Sequence, residues 1–181
     1  MLVNTVTLSL KGRALRALAG REHSRVELVR KLASFEAAPG ELDKVLDELA
    51  AKGYINEQRV ADSLAHRRGA KLGTARVVQE LKAKGVEPQA VAQAAIALKA
   101  TELARAREVW RKKFGHSAAG VAANQALADG ASDPLISWAT SDADNRADRA
   151  KQMRFLASRG FAADVIRKAV GGAVENDNFE D

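Results

Sequence analysis

The sequence contains no cysteine, which excludes a disulfide framework, a thiolate nucleophile and any zinc site built on sulfur. Aromatics are scarce, with five Phe, two Trp and one Tyr in 181 residues. Alanine and leucine carry most of the 46% apolar content, a balance that favours helices over a β-sandwich. Only three prolines interrupt the chain. No apolar run approaches the roughly 18–20 residues of a membrane span. The opening MLVNTVTLSLKGR lacks a signal-peptide core, so a cytoplasmic protein is expected. His23, His66 and His116 lie far apart, and no glycine-rich phosphate loop is present. No catalytic residue, metal or cofactor is expected, and binding is the expected activity.

Charge is present in blocks. Residues 1–35, 65–99 and 145–168 each sum to +5, separated by acidic stretches at 36–64 and 117–144, within a total of +6. A pI near 9.8 makes an anionic partner a reasonable class.

Helical periodicity resolves about nine segments. Ser24 and Glu27 form a capping-box pair that opens the stripe Leu28, Val29, Leu32, Phe35. Gly53, Gly85 and Gly160 stand where C′ glycines stop helices. Asn56 is placed to cap a fourth helix, Thr74 starts a fifth, and Pro88 takes a first-turn position in a sixth. A seventh carries Leu103, Ala106, Trp110 and Phe114. Residues 115–144 then lose the pattern, lack Lys and Arg, and read as an insertion. Periodicity resumes at Ala147 and runs to Gly160, followed by Val165, Ile166 and Val170.

The segments repeat. Leu81 to Gly85 is followed by Val91, and Leu156 to Gly160 by Ile166, with identical spacing in both. The expected fold is all-α: tandem three-helix repeats at 9–55, 56–99 and 101–171, packed in series into an elongated, curved body. The third repeat would carry the insertion, and 172–181 would be an acidic tail. Tyr54, Val86 and Phe161 read as apolar plugs between units, and Glu57 and Glu80 as partners of Arg59 and Arg76. Within the insertion, Leu135, Ile136 and Trp138 are expected to form a helical turn docked near Trp110 and Phe114.

The second helix of each repeat is the basic one. Arg21, Arg25, Arg30 and Lys31 cluster first; Arg67, Arg68, Lys71, Arg76 and Lys82 follow; Arg149 and Arg154 come late. Stacked repeats would align these clusters into a stripe suited to an extended anionic partner. Aromatics do not interleave with them in sequence, so base stacking is not expected.

Four stretches resemble one family. Arg21 to Leu32 (REHSRVELVRKL) is similar to the opening signature of the bacterial RecX family. Gly53 to Ala61 (GYINEQRVA) resembles its G-Y-[LI]-[ND]-[DE]-x-R-[FY]-A run, with Val60 in place of an aromatic. Arg67, Arg68, Gly73, Arg76 and Glu80-Leu81 match a third signature, and Arg154 to Phe161 a fourth. The insertion has no counterpart in the usual pattern. The resemblance implies a monomeric, non-enzymatic regulator of homologous recombination and DNA repair. Such a regulator would bind the RecA filament on single-stranded DNA and inhibit its recombinase and coprotease activities. Two alternatives stay open: a basic helical protein that binds DNA directly, and a helical-repeat scaffold for another protein.

Overall fold

The computed structural model describes residues 8–115 and 137–171, with 137–145 as helix backbone only. Among them are α1 (Leu10–Gly20), α2 (Arg25–Leu32), a 3-10 turn (Ala33–Phe35), α3 (Glu41–Ala51), α4 (Glu57–Gly69) and α5 (Thr74–Ala83). They continue with α6 (Pro88–Ala100), α7 (Glu102–Phe114), α8 (Ser137–Ser158) and α9 (Ala163–Gly171). No strand occurs among the described residues, and the all-α expectation holds. The chain forms two compact units, one of 8–67 with 78–96, the other of 68–77 with the described residues from 97 to 171.

The helix starts follow the capping chemistry. Ser24 Oγ accepts the Glu27 N–H at 3.1 Å while Glu27 Oε2 accepts the Ser24 N–H at 3.2 Å, closing the capping box. Asn56 Oδ1 accepts from Arg59 N at 2.9 Å at the head of α4. One boundary moves. Helix α8 begins at Ser137, ten residues before the apolar period resumes, because its first turns (SWATSDADNR) carry no stripe to signal them. Trp138 thus sits in its first turn. The expected docking of Leu135, Ile136 and the Trp138 side chain, the order of the rest of the insertion, and the acidic tail lie outside the described residues.

In the first unit, Leu10 and Ala14 of α1 meet Leu28 and Leu32 of α2 and Leu42, Leu46 and Leu49 of α3, with Ile55 closing the cluster. In the second, Ala106 and Val109 of α7 meet Leu156 of α8, Phe161, and Ile166, Ala169 and Val170 of α9. Val86 and Phe161 are buried, Phe161 within the core of the second unit, and Val60 is a core residue. Tyr54 is not a plug: it is 50% exposed, and Ile55, one residue later, is buried in its place.

Three helices end in the same turn. The glycine N–H bonds the carbonyl three residues back, and the next N–H reaches the leucine carbonyl five back. The pairs are Gly53–Ala50 with Tyr54–Leu49, Gly85–Lys82 with Val86–Leu81, and Gly160–Ala157 with Phe161–Leu156. These are Schellman closures, and each glycine has a φ between 69 and 80° that a side chain would strain.

Within each unit such a turn receives the start of another helix. In the first, Ser24 Oγ donates to Lys84 O at 2.5 Å, and a Cβ on Gly85 would lie 2.7 Å from Val26. In the second, Gly73 N donates to Arg159 O at 2.9 Å, and a Cβ on Gly160 would lie 2.8 Å from Arg76. A glutamate opening a later helix caps each received helix: Glu57 Oε1 accepts from Arg25 N at 2.9 Å, and Glu102 Oε1 from Thr74 N at 3.0 Å. The contacting residues are 60 apart in the first joint and 86 apart in the second.

Glu27 is the ionic centre of the first joint. Burial opposes its charge, but hydrogen bonds from Arg21 and Lys84, at 3.0 and 2.5 Å, and from the Ser24 backbone win and hold its pKa at about 2. A carboxylate depressed below its usual 4.5 stabilises the fold above that value and loses the contribution as pH falls from about 4.5 towards 2. Glu27→Gln should therefore cost on the order of 2 kcal/mol at pH 7 and only a small part of that at pH 2, where the carboxylate protonates in the folded state as well. Urea titrations at the two pH values check this; an equal cost at both would refute it.

Candidate functional site

The eleven basic candidates separate by what their neighbours leave free. In the first unit, Arg21 grips Glu27 through both terminal nitrogens at 3.0 and 3.1 Å, and donates to Glu22 O. Arg25 spans to α3, pairing with Asp43 at 3.1 Å and Asp47 at 2.7 Å. Arg30 reaches Ala83 O at 3.2 Å and caps the end of α5. These three cations serve packing. Arg67 bonds only the Ser63 carbonyl of its own helix, and Lys31 and Lys82 have no ion pair among the described residues.

In the second unit, Arg68, Lys71 and Arg76 are exposed around the start of α5, and Arg149 and Arg154 along α8. The Lys71 carbonyl accepts from Arg159 Nη1 at 3.4 Å, leaving the Lys71 ammonium outside. Arg76, Arg149 and Arg154 have no ion pair among the described residues. Exposed cations without a carboxylate neighbour keep their charge available to a partner, and paired ones do not. With Arg30 set aside because its cap on α5 holds it in place, Lys31, Arg67, Lys71, Arg76, Lys82, Arg149 and Arg154 form the candidate set.

One pairing differs from expectation. Arg59 bonds Glu22 at 3.0 Å rather than Glu57, whose carboxylate is spent capping α2.

Sequence reasoning missed Arg105. Its guanidinium donates to the carbonyls of Gly69 at 2.8 Å, Leu72 at 2.6 Å and Leu98 at 2.8 Å, and to Thr74 Oγ1 at 3.3 Å. Burial lowers its pKa and the nearby Glu102 raises it, but a guanidinium stays charged. It ties the α4–α5 loop to α7 and so holds Lys71 and the first turn of α5 in place. Nothing in the sequence marks it among twenty-nine Lys and Arg.

Comparison with known proteins gives a consistent result. The family model described as the second three-helix domain of RecX matches residues 56–94, and that of the third matches 138–170. The "Regulatory protein RecX" of Leptothrix cholodnii is 44% identical over 170 residues, covering 94% of this chain and 92% of that protein. Its counterpart from Herminiimonas arsenicoxydans is 40% identical, covering 94% and 97%. The crystal structure of RecX from Lactobacillus salivarius superposes with a TM-score of 0.66 at 19% identity, over 92% of this chain and 95% of the other, and shares the fold.

Proposed function

The chain belongs to the RecX family of regulatory proteins, and from that premise we propose that it regulates homologous recombination by binding the RecA filament on single-stranded DNA. Bound there, it inhibits the filament's recombinase and coprotease activities. It acts in the cytoplasm as a monomer, by occupancy and not by catalysis. The observation that carries this reading is the similarity to regulators along nearly the whole chain. The exposed, unpaired cations on α4, α5 and α8 support it, since a filament carrying DNA presents phosphate and acidic protein surface together. The domain division expected from the repeats, 9–55, 56–99 and 101–171, belongs to the same proposal.

Co-sedimentation with RecA filaments on single-stranded DNA tests the reading. The protein should pellet with filaments at moderate salt and stay in the supernatant with RecA alone. Equal recovery with and without filaments would overturn it.

A further inference from the structure

We propose that the first unit carries a binding site for single-stranded nucleic acid in the cleft between α1 and the end of α2, separate from the basic candidates on α4, α5 and α8. The site does not depend on a recombinase.

The cleft is open, about 630 Å³ in volume, within the roughly 300–1,000 Å³ of small-ligand sites. Its charged lining is of one sign: Arg13 and Arg16 from α1, Arg21 from the link and Lys31 from α2, with no carboxylate among the lining residues. Glu27 neutralises Arg21, but Arg16 and Lys31 are exposed and have no ion pair among the described residues. Two uncompensated cations facing one concavity make a seat for phosphate.

The second component is aromatic. Phe35 is 47% exposed at the rim, an uncommon place for the ring of a protein with so few aromatics. The Arg13 guanidinium lies over it, 4.1 Å from the ring centre, and is steadied by a 3.1 Å bond from Nε to Leu8 O. A planar guanidinium on a phenyl ring forms a flat, sequence-tolerant platform for stacking a base. Leu32 and Ala17 add apolar lining to the cleft, and His23 also lines it, its Nδ1–H donating to Arg21 O at 2.9 Å. Phosphate seats beside a stacking platform match a splayed single strand, whose bases are free; a duplex keeps its bases stacked inside. An acidic peptide would use the cations but leave the platform idle.

Fold, not sequence, assembles this site. Arg13 and Arg16 share a face at i, i+3 spacing, and the 3-10 turn after α2 brings Phe35 back to them. The charges and the aromatic that stand apart in sequence thus meet in space.

The test is fluorescence anisotropy of the full-length protein with a labelled oligothymidylate of roughly 10 nucleotides, without RecA. The wild type should bind it and prefer it to a duplex of equal length. Arg16→Ala/Lys31→Ala should weaken binding about tenfold at low salt and reduce the log–log salt slope by about 1.4, the share of two single-strand phosphates. Phe35→Ala should weaken it about tenfold, the size of one lost base stack. Lys44→Ala/Lys99→Ala, which removes two exposed lysines elsewhere, should change affinity less than twofold. Wild-type affinity in both cleft variants, or an equal loss in the control, would overturn the site. Normal oligonucleotide binding by the cleft variants with lost RecA inhibition would also overturn it, assigning the cleft to a protein surface. Because the probe contains no recombinase, failure of the RecA reading leaves this result legible.

Discussion

Replacing Gly73 with alanine should cost at least about 3 kcal/mol of stability and lower Tm by roughly 6–12 °C. Gly73 sits where the α4–α5 loop meets the turn between α8 and α9, with its N–H on Arg159 O at 2.9 Å. A Cβ there would overlap the carbonyl of Gly160 and the nitrogen of Phe161, and both are backbone. Neither side can give way cheaply. The Gly160 turn is closed by its bonds to Ala157 and Leu156, and a φ of 80° at Gly160 leaves little room for adjustment. The facing loop is fixed by Glu102 on Thr74 N and by Arg105 on the Leu72 carbonyl. Gly20→Ala is the matched control, since a Cβ at Gly20 meets nothing within 4 Å, and it should change stability by less than about 0.5 kcal/mol. Urea unfolding at constant m-value provides the comparison. A loss below about 1 kcal/mol for Gly73→Ala would mean the joint yields.

The same joint shows what the sequence could disclose. Local chemistry was legible: Ser24 with Glu27, the glycine stops at Gly53, Gly85 and Gly160, Asn56 as a cap, and the leucines those turns bury. Each depends on residues within a turn of one another. Contacts between helices were not legible, because nothing near Arg25 announces that Asp43, 18 residues on, will neutralise it. For the same reason Arg21 and Arg30 stood beside Lys31 in one basic cluster, although the fold spends the first two and leaves the third free. The start of α8 escaped notice because its first turns bear no apolar stripe, and Tyr54 was misplaced because Ile55 takes the buried position after its glycine. The cleft was hidden most completely. Its stacking residue lies in a 3-10 turn and its phosphate seats on two different helices, so only folded geometry brings them together.

The largest functional effect is expected from Arg67→Glu combined with Arg76→Glu. Both side chains are exposed; Arg67 makes only a bond to its own helix's Ser63 carbonyl, and Arg76 has no ion pair among the described residues. Their replacement breaks no ion pair among the described residues, and exposed substitutions of this kind usually shift stability by less than about 0.5 kcal/mol. Against an anionic partner the change is large. Two attractions become two repulsions, and like charges set against each other across an interface cost several kcal/mol. At roughly 1.4 kcal/mol per tenfold, affinity should fall by at least about a hundredfold while helicity and the urea midpoint stay unchanged. Glu27→Gln is the converse case, expected to lower stability and leave these exposed cations in place.

Steady-state ATP hydrolysis by RecA on single-stranded DNA, titrated with the protein and with the Arg67→Glu/Arg76→Glu variant at low and moderate salt, tests the central claim most directly. The account predicts that the wild type suppresses hydrolysis at both salt concentrations, more strongly at the lower, and that the variant leaves the rate near that of RecA alone. Hydrolysis unchanged by the wild type would contradict regulation of the filament, and full suppression by the variant would contradict the role given to these cations.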